Sequence, residues 1–311
     1  MTDGVPSWLA WWGRSIASVW RGASQGRPIG PGDRSPERAA LARAIASIPF
    51  RRIETDGQAA LAAWERLQAE DKGWPVVVGG DRDLVRLAEW LEIGDARSAE
   101  AILAAAEALR FPDALHALRA EERQHFEAMT GGGNGPGLPP RVNRLSLPDG
   151  QWQALSPEEI RGLWEDSARP KGAPAIGEWP DVPEAGPGLT VARDHQDHPL
   201  PKVHILVLPT RDGTAAPAFL KWGGWNANPP PELHVAALRS WRDRHGAELV
   251  GISNDVLNLR VTRRPETREA ALALAREQSV YCEDIVLQGV GTLAPLAAIL
   301  MASDWWYFWW D

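Results

Sequence analysis

Glu248-Leu249-Val250-Gly251-Ile252-Ser253-Asn254-Asp255-Val256-Leu257-Asn258-Leu259-Arg260-Val261 is the stretch on which the fold class turns. Two runs rich in Val, Leu and Ile flank Ser253-Asn254-Asp255, residues suited to a tight reversal. The segment therefore reads as a β-hairpin with strands at Glu248–Ile252 and 256–261. Strand side chains alternate between faces, which turns Leu257, Leu259 and Val261 inward and leaves Asn258 and Arg260 facing out. A hairpin set beside helices, rather than strands alternating strictly with them, predicts an α+β protein with a mainly antiparallel sheet.

Working outward, a helix ending at Gly246 precedes the hairpin over Pro231–His245, and 204–208 (His-Ile-Leu-Val-Leu) reads as a buried strand. After the hairpin, Thr267 caps a helix whose inner face is Ala271, Leu274, Ala275, Gln278 and Cys282, and a further helix spans Leu293–Ala302. The tail 305–310 alternates Trp305, Tyr307 and Trp309 with Trp306, Phe308 and Trp310, so both faces are aromatic. That pattern predicts a strand buried on both sides in the sheet centre. Residues 202–311 thus form a C-terminal α+β domain.

The chain before it divides by composition. Residues 131–201 are a Pro/Gly-rich linker with one helix, opened by Ser156, Pro157 and Glu159 as a capping box. Residues 47–130 are mostly helical around one short strand, Pro75-Val76-Val77-Val78, which breaks at Gly79-Gly80 and places Asp81 to cap the next helix. Residues 1–46 are a Trp-rich extension. There Trp8, Leu9, Trp12, Ile16, Val19 and Trp20 fall on one helical arc opposite Arg14 and Arg21. Such a helix at residues 8–21 docks on protein or makes a peripheral contact with a membrane surface.

Composition excludes several classes. With 44% hydrophobic and 24% charged residues, the chain can build a packed core. A net charge of -8 and a pI near 5.5 argue against nucleic acid, because a phosphate binder needs a basic face. The single cysteine, Cys282, rules out an internal disulfide framework and a multi-cysteine zinc site, and suits a reducing, cytoplasmic setting. No apolar run approaches the roughly 20 residues of a membrane span, and no signal-peptide core opens the chain. Trp, at 17 residues, is over-represented against 5 Phe and 2 Tyr.

Several groups have residue types that carry chemistry. Asp194, His195, Asp197 and His198 place two imidazoles and two carboxylates within five positions, a candidate metal site beside the plainer reading of a solvated linker. Cys282 becomes a nucleophile only if His234 or His245 reaches it, and its place on an apolar helix stripe favours burial instead. Glu122 and His125 have di-iron spacing but lack the second pair such a site needs. Trp222, Trp225, Asn226 and Asn228 put indoles and amides on one loop, suited to ligand recognition or to an ordinary packed turn. Gln288, Gly289, Gly291 and Thr292 open a helix whose free N–H groups can hold an anion, or form a tight turn capped by Thr292. No cofactor is called for.

From His204 onward the sequence resembles a bacterial family, domain of unknown function 4253. The motifs are Trp222-Gly223-Gly224-Trp225-Asn226, residues 241–250 (W-R-D-R-H-G-A-E-L-V), residues 271–278, Tyr281-Cys282, Asp284-Ile285-Val286, residues 288–293 and the closing 307–311. Arg52 to Glu89 is similar to the region that often precedes that domain. The resemblance implies no activity, cofactor or catalytic residue. Glu283 stands where the family usually has proline and Leu287 where it usually has an acidic residue, so any role of that acid is lost here. The sequence as a whole suggests a non-catalytic, protein-binding module, such as an immunity or accessory protein. The alternative is a metal- or Cys-dependent hydrolase or transferase, and oligomeric state is left open.

Overall fold

The computed structural model describes residues 36–130, 144–146, 152–154, 174–183, 186–225 and 227–310. The predicted helix at residues 8–21, the helix opened by Ser156, and Asn226 lie outside them. The chain divides into two compact units, residues 1–115 with 175–311, and residues 116–174.

In chain order the elements are α1 (Pro36–Ser47), β1 (Arg51–Thr55), α2 (Ala60–Ala69), β2 (Trp74–Gly79), α3 (Asp81–Ile93), α4 (Ala99–Glu107) and α5 (Asp113–Thr130). There follow β3 (Arg144–Ser146), β4 (Trp152–Ala154), β5 (Val203–Leu208), α6 (Ala216–Leu220), α7 (Pro231–His245), β6 (Glu248–Ile252) and β7 (Val256–Arg260). The last are α8 (Arg268–Tyr281), a π-helical turn (Ile285–Val290), α9 (Leu293–Ala302) and β8 (Trp305–Trp309). In the smaller unit β3 and β4 form an antiparallel pair. The larger unit carries one six-stranded sheet in the order β1-β5-β2-β6-β7-β8. All neighbours are antiparallel except β2 and β6. The α+β class with a mainly antiparallel sheet is therefore observed, and the sheet draws strands from both sides of the Pro/Gly-rich stretch.

Two layers hold the sheet. On one face Trp64 and Leu67 of α2 pack with Val77, Val203, Ile205 and Val250, joined by Leu189 and Val191 from the segment before β5. Indole N–H groups pin this layer, Trp64 to the Pro75 carbonyl at 2.8 Å and Trp74 to the Leu249 carbonyl at 3.0 Å. The other face is an aromatic cluster in which Trp241 stacks on Phe308, centroids 5.2 Å apart, and meets Tyr281 edge-on at 4.8 Å. Gly246 ends α7 with φ +60, a left-handed conformation that favours glycine.

Three local expectations need correction. β8 is the last strand of the sheet, not an interior one. Both its faces are covered, yet its outer edge is closed by side chains instead of a neighbouring strand: Ser303 Oγ accepts from Trp305 N at 3.0 Å, and the Cys282 thiol donates to the Trp309 carbonyl at 2.8 Å. Asn258 does not face solvent. It is fully buried, because residues 189–192 cover that face of β7, and it accepts from Val191 N at 3.1 Å while donating to Thr190 Oγ1 at 3.0 Å. Finally, Gly80 rather than Asp81 is the N-cap of α3, and the carboxylate of Asp83 reaches back to the Gly80 N–H at 2.9 Å.

Candidate functional site

The parallel pair β2 and β6, in register at Val77 and Gly251, ends its two strands side by side. Carboxyl ends of adjacent parallel strands are where sheets with parallel pairs tend to bind ligands. The chain leaves β2 through Gly79, whose φ of +88 favours glycine and where a Cβ would lie 2.5 Å from Asp83 Oδ2. That close approach lets α3 begin at once and fixes Asp83 at the strand's end. β6 leaves through Ser253-Asn254-Asp255, where Asp255 accepts from Ser253 Oγ at 3.2 Å and from the Trp309 side chain. Asn254 Oδ1 accepts from Trp90 Nε1 of α3 at 3.0 Å, tying the turn to that helix.

Asp83 and Asp255 line one end of a cavity of about 420 Å³. Trp305, Tyr307 and Trp309 of β8 also line it, together with Ile299 of α9, Val290 of the π-helical turn and the segment that includes Thr190 and Asp194. The volume suits a small organic molecule. Within the wall, Gln278 of α8 is 1% exposed and its Nε2 has no hydrogen-bond partner among the described residues. A buried amide donor left unsatisfied is costly, which makes it a natural receiver for a ligand acceptor. Gln288 Nε2 donates to Asp284 Oδ1 at 2.8 Å, so the π-helical turn brings a further acid and amide to the same wall.

The electrostatics follow from enclosure. Desolvation raises the Asp83 carboxyl to about 6, with the charge of Asp255 adding to it and the Gly80 N–H and Arg86 opposing. Burial likewise pushes Asp255 up, against its bonds from Ser253 and Trp309. Asp81, two residues from Asp83, behaves in the opposite way. Although burial opposes ionisation, hydrogen bonds from His204 at 2.7 Å and Lys202 at 2.6 Å hold it at about 2. It is a structural ion pair, with Arg52 on the other nitrogen of His204 at 3.0 Å.

The residues singled out from sequence fall mostly elsewhere. Cys282 is fully buried at the end of α8, and burial pushes its thiol well above the ordinary range. The two rings considered as its base are engaged with other groups: His234 with Tyr281 and with Asn228 at 2.7 Å, and His245 with the Arg263 carbonyl at 3.0 Å. Asp194 accepts from the backbone of Gln196 and His198, forming a turn, while Arg193 pairs with Asp197 at 3.2 Å. Asp194, His195 and Asp197 line the cavity mouth but His198 does not, and among the described residues no three His, Cys, Asp or Glu side chains gather to hold a metal. Glu122 is taken by Arg119 at 2.9 Å.

Trp222 is buried with its Nε1 on the Ser253 carbonyl at 2.8 Å, Asn228 is buried, and Trp225 stacks on Trp90. These side chains pack the loop. Of Gln288, Gly289, Gly291 and Thr292, the first two line the cavity. The first N–H groups of α9 are not available to an anion, since Leu293 N and Ala294 N donate to the carbonyls of Ala175 and Ile176 at 3.0 and 2.7 Å. Thr292 is the N-cap of α9 by backbone position only, with no side-chain capping bond.

Asp83, Asp255 and Gln278 were missed as site residues. The available signal was Gln278, a lone amide on an otherwise apolar helix stripe. Asp83 and Asp255 become neighbours only through the parallel pairing of β2 and β6, which no local pattern encodes.

Residues 204–311 match the family model for a domain of unknown function, DUF4253. Comparison with curated proteins and with solved structures finds no match. The DUF4253 region supplies Asp255, Gln278, Asp284 and the aromatic wall of β8, whereas Asp83 and the segment around Thr190 precede it. The cavity is thus built jointly by the DUF4253 region and the chain before it.

Proposed function

We propose that this chain is a non-catalytic binding module whose site is the cavity at the carboxyl ends of β2 and β6. The observation that carries the reading is the cavity itself: about 420 Å³, walled by aromatic and aliphatic side chains together with acids and amides held at fixed positions. Binding is favoured over thiol hydrolysis because Cys282 is buried and donates to the Trp309 carbonyl, a structural role at the edge of β8. It is favoured over metal-assisted hydrolysis because Asp194 and Asp197 are engaged within their own turn.

The test is ligand-observed NMR on a fragment set containing cations, neutral molecules and anions, with the wild-type chain and a Val290→Trp variant that fills the cavity. Val290 is half-buried on the cavity wall, so the larger ring has room to enter it. Fragments that bind the wild type should lose their signal in the filled variant while its thermal unfolding stays cooperative. Absence of binders, or binders indifferent to the filling, defeats the reading.

A further inference from the structure

We propose that the occupant of this cavity is an organic cation, a protonated amine or guanidinium on an aromatic or aliphatic body that also carries a hydrogen-bond acceptor. The proposal rests on the reading of the cavity as a ligand site and adds the chemical class.

Charge is the first observation. Carboxylates come to the cavity wall from three directions: Asp83 at the end of β2, Asp255 after β6, and Asp284 at the start of the π-helical turn. Asp194 and Asp197 also line it, but Asp197 is paired with Arg193 and Asp194 is engaged by the backbone of its own turn, so the three enclosed acids carry the argument. Arg193 is the arginine on the wall, and it is held by the carboxylate of Asp197 at 3.2 Å and the Asp197 carbonyl at 2.7 Å; Arg86, whose charge favours the ionised forms of Asp83 and Asp255, is not a lining residue, and burial still outweighs it at both acids. Asp83 and Asp255 stand close enough for the charge of one to disfavour ionisation of the other. Enclosed carboxylates that repel each other are stabilised most by a positive group placed between them. An ionised carboxylate accepts hydrogen bonds only, so the complementary group is a donor such as an ammonium or guanidinium.

The second observation is independent of the acids. Gln278 Nε2 is a buried donor with no hydrogen-bond partner among the described residues, on a side chain 1% exposed that lines the same cavity. A simple inorganic cation cannot satisfy it, because it needs an acceptor. A hydroxyl, carbonyl or ether on the ligand does. The third is the wall of β8, where Trp305, Tyr307 and Trp309 share one face of the strand. Indole and phenol faces attract cations and bury apolar bodies, and either role selects against a bare anion.

Isothermal titration calorimetry with the full chain at about pH 7.5 distinguishes the classes, using three probes that share a carbon skeleton. Phenylalaninol is protonated and carries a hydroxyl, hydrocinnamyl alcohol is its neutral counterpart, and hydrocinnamate is the anion. The expected order is phenylalaninol first, at least about tenfold tighter than the alcohol, with hydrocinnamate weakest. Asp255→Asn and, separately, Asp83→Asn should each weaken phenylalaninol about tenfold while moving the alcohol less than about twofold. The asparagine at 83 can still accept from the Gly80 N–H, so a folded variant is expected there even if the change at 255 perturbs its turn.

Equal binding of phenylalaninol and the alcohol, both abolished by Val290→Trp, overturns the charge class and leaves the cavity reading standing. Occupation of the cavity by other fragments but not by phenylalaninol also overturns the class. A loss of phenylalaninol affinity in potassium chloride but not in choline chloride of equal ionic strength, with choline itself not bound, assigns the site to an inorganic cation and overturns the organic one. If none of the probes and no fragment binds, both readings fall together.

Discussion

At the scale of single residues, two buried side chains decide how the chain closes over its sheet. Asn258 links β7 to residues 190 and 191, and removing its amide leaves the Val191 N–H buried without that partner and takes a partner from the half-buried Thr190 hydroxyl. Asn258→Ala should therefore cost about 1–3 kcal/mol in urea unfolding, whereas a surface asparagine would cost little. An unchanged midpoint contradicts the anchoring role. Cys282 is the second. With its thiol buried and bonded to the Trp309 carbonyl, it should react with a thiol reagent far more slowly in the native protein than in denaturant. Equal rates contradict the enclosure. The helix stripe made the burial of Cys282 legible in sequence, but alternation alone sent Asn258 outward. That inference assumed one covered face, and the cover on the other face comes from residues far upstream.

At the scale of elements, β8 shows how a pattern can be read correctly and placed wrongly. Aromatic residues on both faces do mean two covered faces, but the sheet ends there because Ser303 and Cys282 close its outer edge. The faces also differ in depth. Trp306, Phe308 and Trp310 are buried in the aromatic cluster, Trp306 also reaching the cavity wall, while Trp305, Tyr307 and Trp309 are half-buried along the cavity. Trp306→Ala should cost about 3–5 kcal/mol and lower the melting temperature sharply, and Trp309→Ala should cost clearly less. Equal losses in the two variants contradict the asymmetry of the faces.

The helices α7, α8 and α9 and the β6–β7 hairpin were legible because each has a local signature: a C-terminal glycine, a threonine cap, an apolar stripe, a turn between alternating runs. β1 was not, since Arg-Arg-Ile-Glu-Thr lacks the apolar character of a strand. It forms because one side pairs with β5 while the other remains an edge.

At the scale of the whole molecule, stability and binding are linked through the acids at the head of the cavity. Asp83 holds its proton more tightly when folded, about 6 against an ordinary 3.8, so the unfolded chain binds fewer protons between those values. Its contribution to stability is then present at low pH and lost as pH rises through about 6. Asp81, held at about 2, contributes in the opposite sense: its stabilisation is present above about 4 and lost as pH falls toward 2. Relative to wild type, Asp83→Asn should gain up to about 2 kcal/mol as pH is raised from about 4 to 7. A flat difference across that range contradicts the desolvated site. The fold class was readable from the hairpin outward, but the site was not, because it is made where residues far apart in the chain meet at the ends of β2 and β6.

The most direct measurement is carboxyl-selective NMR titration of Asp83 in the free protein and in the presence of saturating phenylalaninol. Asp83 is expected to titrate near 6 in the free protein and to fall toward or below ordinary aspartate values when the cation is bound. An ordinary titration in the free protein that the ligand leaves unmoved would contradict this.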